Sequence, residues 1–184
     1  MSGQVPKGKQ RASQAKIEDV AEFYQTIDRR NLIHKISPVR PYVYTTMEVY
    51  DQANGIRGAG GLGVLAADTR RVAEDLEIPF VTLTPFYQTE RHQRLEKLEP
   101  HDDYVSRNPE AEGFRAIGQV ALHIKDKPDA TLDIYQKQLG SSRFLCMTEP
   151  NFGPLYCDTP SSDHRLYQMT SLGFGGYAAL KMAD

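Results

Sequence analysis

Tyr42-Val43-Tyr44-Thr45-Thr46-Met47, the glycines Gly55, Gly58, Gly60, Gly61 and Gly63, the run from Leu62 to Leu76, and Phe80-Val81-Thr82-Leu83 together decide the fold. The first six residues are rich in aromatic and β-branched side chains, which predicts a strand over 42–47. Leu62, Leu65, Ala66, Thr69, Val72, Ala73 and Leu76 then recur along one side of a helix, and Pro79 bounds it. Phe80 to Leu83 predicts a second strand, buried on both faces. The order strand, glycine loop, helix, strand normally makes a right-handed crossover. The strands at about 42–47 and 80–84 are therefore expected to be parallel and adjacent.

Outward from this unit the chain changes character twice. Upstream, Pro38 and Pro41 end any helix, and before them Ile17, Val20, Ala21, Tyr24 and Ile27 recur at helical spacing from Ile17 to Leu32. Residues 1–16 carry Lys7, Lys9, Arg11 and Lys16 without an acid, which reads as a disordered, solvated basic arm. Residues 17–184 are expected to form one domain, which the resemblance given below implies is incomplete. Downstream, Phe114 to Ile124, Thr131 to Gln136 and Arg143 to Met147 alternate loosely, with Pro128 and Gly140 as turn signals between them. They predict a small antiparallel excursion from the parallel core. Asp163 to Met182 predicts a final helix with Leu166, Met169, Gly173, Tyr177 and Leu180 on one stripe. No internal repeat is visible.

With 184 residues, 40% apolar and 25% charged, the chain suits one soluble domain or part of a larger one. The formal net charge of -2 gives no field that would draw it to nucleic acid or to an anionic membrane. The sequence has no signal-peptide stretch and no membrane span, so a cytoplasmic location is expected. Cys146 and Cys157 read as reduced thiols. The five histidines are scattered and form no metal-ligand pair, so no metal is expected.

Gly60-Gly61-Leu62-Gly63 carries the strongest chemical signal. Glycine lets a ligand approach the backbone, and the following helix offers unpaired N–H groups and a partial positive charge. A phosphate suits such a place, although glycine-rich turns before helices are common for purely structural reasons. The spacing is neither that of a dinucleotide fingerprint nor that of a P-loop. Gly173, Gly175 and Gly176 also need explaining, because glycine inside a helix costs about 1 kcal/mol relative to alanine. Either another element packs very closely there or the helix breaks. No nucleophile motif is present.

In order and distance, these motifs resemble the start of the α-glucan (glycogen, maltodextrin) phosphorylases. Tyr44-Thr45-Thr46-Met47-Glu48, Gly60-Gly61-Leu62-Gly63-Val64-Leu65-Ala66-Ala67-Asp68 and Asp75-Leu76-Glu77-Ile78-Pro79 match the family's first block. Arg165-Leu166-Tyr167-Gln168 followed by Leu172-Gly173-Phe174-Gly175-Gly176 is similar to a later one. The chain departs from the pattern at Ala67, Glu77, Met169 and Glu90-Arg91-His92. Glycogen synthases also place a glycine loop after the first strand, but with a lysine where this chain has Gly58-Ala59.

The resemblance implies an α/β fold: the N-terminal part of a Rossmann-like domain in a two-domain, GT-B type glycosyltransferase. It implies phosphorolysis of α-1,4-glucan to glucose 1-phosphate, with Gly60, Gly61, Leu62 and Gly63 beside the sugar and the phosphates and Tyr50 near the cofactor. That cofactor is pyridoxal phosphate in the full enzyme. The family's cofactor lysine and second domain lie beyond the part matched. This chain alone is therefore expected neither to bind the cofactor nor to turn over substrate. The expected partners are α-glucan, phosphate and either the remainder of a split enzyme or further copies of the chain. The alternative is a non-catalytic module for sugar or phosphate binding, or for subunit interaction. An exposed sheet edge and an under-covered final helix are also expected, and both favour association.

Overall fold

The computed structural model describes residues 35–58, 60–124, 129–155 and 162–183. The arm at 1–16, the helix expected at Ile17 to Leu32, and Cys157 lie outside these residues. Strand β1 (Tyr42–Thr45) pairs in parallel with β2 (Phe80–Pro85), Val43 opposite Val81, and helix α1 (Gly60–Asp75) joins them. This is the crossover expected from the sequence. Tyr42 and Tyr44 stack on Phe80 with ring centroids 5.6 and 6.1 Å away, so the aromatic residues of the first run hold the register. Every residue of β2 is buried, as its continuous apolar run requires.

The remaining strands are β3 (Thr89–Glu96), β4 (Glu99–Ser106), β5 (Arg115–Leu122), β6 (Ala130–Leu139) and β7 (Ser142–Thr148). The main sheet has the order β1-β2-β7-β6-β5. Here the expected excursion needs correcting. β6 runs antiparallel to both β5 and β7, as expected, but β7 returns into the core and pairs in parallel with β2. The piece that does leave the sheet is the β3–β4 hairpin, which forms a separate antiparallel pair. The architecture is mixed α/β.

Side chains alternate across the pleat, so β7 feeds two cores. Phe144 and Cys146 join Ala66 and Ala67 of α1, while Leu145 and Met147 join Leu172 and Ala179 of helix α2 (Ser162–Met182). The two helices thus cover opposite faces of the sheet. Gly175 and Gly176 of α2 settle one open alternative in favour of close packing. A methyl group at Gly175 would overlap Leu132, and one at Gly176 would overlap Leu83.

Both helices bury their small residues. In α1 the inward set is Gly63, Ala66, Ala67, Arg70 and Ala73. Of the stripe grouped by sequence, Ala66 and Ala73 are buried, whereas Leu62, Leu65, Val72 and Leu76 are exposed. In α2 the inward set includes Gln168, Ser171, Leu172 and Ala179, whereas Leu166, Met169 and Tyr177 of the expected stripe point outward. Two helices lying close on a sheet have room for small side chains, so periodicity located each stripe without telling which side faces inward.

Candidate functional site

The carboxyl ends of β1, β2 and β7 open on one side of the molecule. In open α/β sheets ligands bind in the crevice outside such strand ends. The chain leaves β1 through Thr46, whose N–H still donates to the Leu83 carbonyl at 3.0 Å and whose hydroxyl donates to the Glu48 carbonyl at 3.1 Å. Asp51 and Ile56 then exchange backbone hydrogen bonds at 3.0 and 2.9 Å, closing a loop over a single 3-10 turn, Gln52–Asn54.

A buried ion network fixes this loop to α1. The fully buried Asp51 carboxylate accepts from Arg70 at 3.0 Å, Arg71 at 2.7 Å and Asn54 at 2.8 Å. Burial alone would push the Asp51 carboxyl up, but the hydrogen bonds from Asn54, Arg71 and Arg70 outweigh it and hold the group below its ordinary range.

The glycine segment is arranged differently from a plain phosphate loop. Gly60 starts α1 at φ 76°, a left-handed value that favours glycine. The Gly63 N–H, in the first turn, donates to the buried Glu48 carboxylate at 3.1 Å. A carboxylate of the chain itself thus occupies the position where a bound anion would meet the helix dipole. Gly63 also accepts from the Tyr50 N–H at 3.0 Å, and a methyl group there would lie 3.0 Å from Tyr50 Cβ. At Gly58 a methyl would overlap the Val49 carbonyl. These two glycines let the loop after β1 lie against the start of α1. Gly61 is open to solvent, and the Leu62 side chain is exposed.

Tyr50 lines an open crevice of about 870 Å³ with Gln52 and Arg57 from the same loop, Glu90 and His92 from β3, and Glu112. None of Gly60 to Gly63 lines it; Gly63 lies behind Tyr50. A narrower cavity of about 50 Å³ shares Ile56, Arg57, Gly58 and Glu90 with the crevice and runs inward to Thr84 and Phe144. The buried Thr84 hydroxyl has no hydrogen-bond partner among the described residues. Arg107, 6% exposed, is held by both oxygens of Glu112 at 2.8 and 2.7 Å and lies over the Phe86 ring. An aromatic ring beside amide, carboxylate, imidazole and guanidinium groups suits a ligand rich in hydroxyls.

The residues of the later motif serve structure. Arg165 donates to Gln168 at 3.0 Å and to the Leu155 carbonyl at 2.7 Å, and Gln168 donates to the Phe152 carbonyl at 2.6 Å. Together they clamp the start of α2 to the chain leaving β7. Beside them Tyr167 titrates at about 12, because burial and the neighbouring Glu149 disfavour its phenolate.

The resemblance implied a place near the cofactor for Tyr50, and no sequence signal pointed to Glu48, Arg57, Glu90 or His92 as site residues. Glu90 and His92 lie in a strand with no apolar period, and no local signal marked them. Among the described residues no lysine lines the crevice, and the Lys137 amine is held by the Asn54 and Glu112 carbonyls at 2.8 and 2.7 Å, so these residues offer pyridoxal phosphate no covalent anchor. Among the described residues no group of His, Cys, Asp and Glu is placed to hold a metal, and no helix is long and apolar enough to cross a membrane. Comparison with family models, curated proteins and solved structures gives no match to this chain.

Proposed function

We propose that this chain forms one wall of a cleft that holds α-1,4-glucan, as the N-terminal part of a phosphorylase-type glycosyltransferase with Rossmann-like domains of the GT-B kind. The observation that carries this reading is the crevice at the carboxyl ends of the parallel strands, with Tyr50, Arg57, Glu90 and His92 around it. A sugar ring packs on an aromatic face, and its hydroxyls pair with the polar rim. The free thiol of Cys146 supports a reducing compartment, and we place the protein in the cytoplasm.

A second reading, a non-catalytic sugar-binding module, is favoured by one feature. Glu48 already takes the Gly63 amide, which leaves the glycine turn less to offer a phosphate.

Ten tyrosines share the chain's ultraviolet emission, so binding is read by isothermal titration calorimetry, which needs no reporter residue and serves the Tyr50 variant equally. Titration with a maltooligosaccharide is expected to saturate. Tyr50→Ala is expected to weaken binding about tenfold, equivalent to roughly 1.4 kcal/mol. Absence of saturable binding, or binding unchanged by Tyr50→Ala, would sink both readings. Competition by inorganic phosphate at the same site would favour the enzyme-part reading over the module.

A further inference from the structure

We propose that the narrow cavity behind the crevice is a subsite for the hydroxymethyl arm of a neutral hexose unit, with Thr84 and Glu90 as the residues that select it. The inference rests on the reading of the crevice as a sugar site and adds which sugar that site takes.

The first observation is a buried hydroxyl. Thr84 lies near the carboxyl end of the buried strand β2, is 4% exposed, and lines the cavity. Its Oγ1 has no hydrogen-bond partner among the described residues. A buried polar atom left unpaired in a folded chain calls for a cause. Valine would fill nearly the same space without leaving a polar atom unpaired. The Thr82 hydroxyl, two residues back on the same face, is unpaired too, but Thr82 lines neither the cavity nor the crevice. Open space beside the hydroxyl distinguishes Thr84.

The second observation is a carboxylate on the same cavity. The Glu90 side chain is 10% exposed, with His92 Nε2 at 3.4 Å and Arg107 Nε at 3.8 Å from its Oε2. Neither makes a hydrogen bond to that oxygen. Much of the remaining wall is apolar, formed by Ile56, Phe86, Phe114 and Phe144.

Size and charge then choose the ligand. A water needs roughly 10–15 Å³ of such space. The cavity's volume of about 50 Å³ therefore suits a short arm of a few heavy atoms. A sugar ring stays in the crevice against Tyr50, and its projecting arm enters. A hydroxyl can both accept from Thr84 and donate to Glu90, which an ionised carboxylate or phosphate cannot do. An anion would also meet the Glu48 and Glu90 carboxylates, while Arg107 is already bound to Glu112 and Arg91 to Asp102.

The methyl resonances of Thr84 and Ile56 in the full chain report on the cavity. Titration with methyl α-glucoside is expected to shift both in a saturable way. Methyl α-xyloside lacks the arm, and methyl α-glucuronoside ends it in a carboxylate; each should bind about five- to tenfold more weakly. Thr84→Val should weaken the glucoside by a similar factor and leave the xyloside unchanged, a split that a merely structural role would not give. Glu90→Gln should narrow the preference for the glucoside over the glucuronoside. Should circular dichroism show Thr84→Val unfolded, the three sugars on the parent chain decide alone. Cavity resonances that do not move, or a xyloside that binds as well as the glucoside, overturn the subsite and leave the cavity to water. The Tyr50→Ala variant keeps this apart from the glucan reading. Maltooligosaccharide binding that depends on Tyr50 without moving the cavity resonances overturns the subsite alone. Glucoside binding that moves them without depending on Tyr50 supports the subsite and sinks the glucan cleft.

Discussion

Asp51 shows how one residue holds the candidate site. It is fully buried, and its two oxygens are shared by Arg70, Arg71 and Asn54, so this carboxylate ties the loop carrying Tyr50 and Arg57 to α1, beside the hydrogen bonds that Tyr50 and Glu48 make to Gly63. Removing one member of a buried ion network leaves the others uncompensated. Asp51→Ala is therefore expected to cost about 3–5 kcal/mol of stability, read from the urea unfolding midpoint. The pH dependence follows from the same contacts. The carboxyl's folded-state titration lies below its ordinary 3.8. Its contribution is then complete above that value and is lost as pH falls through the lower folded one. Asp51→Asn should accordingly show a shallower loss of stability on acidification below about pH 4 than the parent chain; an equal slope would mean the network does not hold the charge. Cys146 illustrates the opposite case. Burial pushes its thiol well up, which disfavours the thiolate, and it packs as a small apolar residue beside Phe144 and Ala66.

At the scale of elements, the β3–β4 hairpin was the least legible part of the chain. Thr89-Glu90-Arg91-His92-Gln93-Arg94-Leu95-Glu96 has no apolar alternation, and its partner strand is almost wholly exposed. Cross-strand charge holds it instead: Arg91 to Asp102 at 2.5 Å and Arg94 to Asp103 at 2.7 Å. Its two-residue turn is Lys97-Leu98, with φ of 51° and 71°, where asparagine and glycine are the usual occupants. A left-handed residue other than glycine costs roughly 1–2 kcal/mol, so Leu98→Gly should stabilise the hairpin by about 1 kcal/mol. Greater hydrogen-exchange protection of the β3 and β4 amides is the expected signature, and unchanged protection would mean that the turn is not what limits the hairpin. This element brings Glu90 and His92 to the crevice, so part of the candidate site escaped a reading based on apolar periodicity.

At the scale of the molecule, the crevice is open and its cations are either exposed or engaged: Arg57 faces solvent, and Arg107 is bound to Glu112. Phosphorolysis needs a phosphate fixed against the glycosidic bond by charges converging on it, and catalysis of that kind depends on positioning. As one wall of the proposed cleft, the described residues show no such convergence. The chain by itself is therefore expected to release no glucose 1-phosphate from maltodextrin and phosphate, even with pyridoxal phosphate added. A coupled assay that detected turnover would refute this. Each helix also carries a large apolar stripe outward, Leu62, Leu65, Val72 and Leu76 on α1 and Leu166, Met169, Phe174 and Tyr177 on α2. Surfaces of this kind mark association.

The amino-acid sequence by itself determined the parallel β1–α1–β2 unit, the buried second strand and the final helix. Each depends on local propensity, on glycine and proline punctuation, and on handedness rules that hold without knowledge of neighbours. Three things belonged to the tertiary structure. Which side of each helix faces inward depends on how closely it lies on the sheet, and close approach selected Ala66, Ala73, Gly175 and Gly176 over the larger side chains. The place of β7 beside β2 is a long-range pairing that no local pattern encodes. The occupancy of the Gly63 amide by Glu48, fifteen residues earlier, decided what the glycine turn holds in this fold. A helix N-terminus is attractive to any carboxylate or phosphate, and only the folded chain determines which one reaches it.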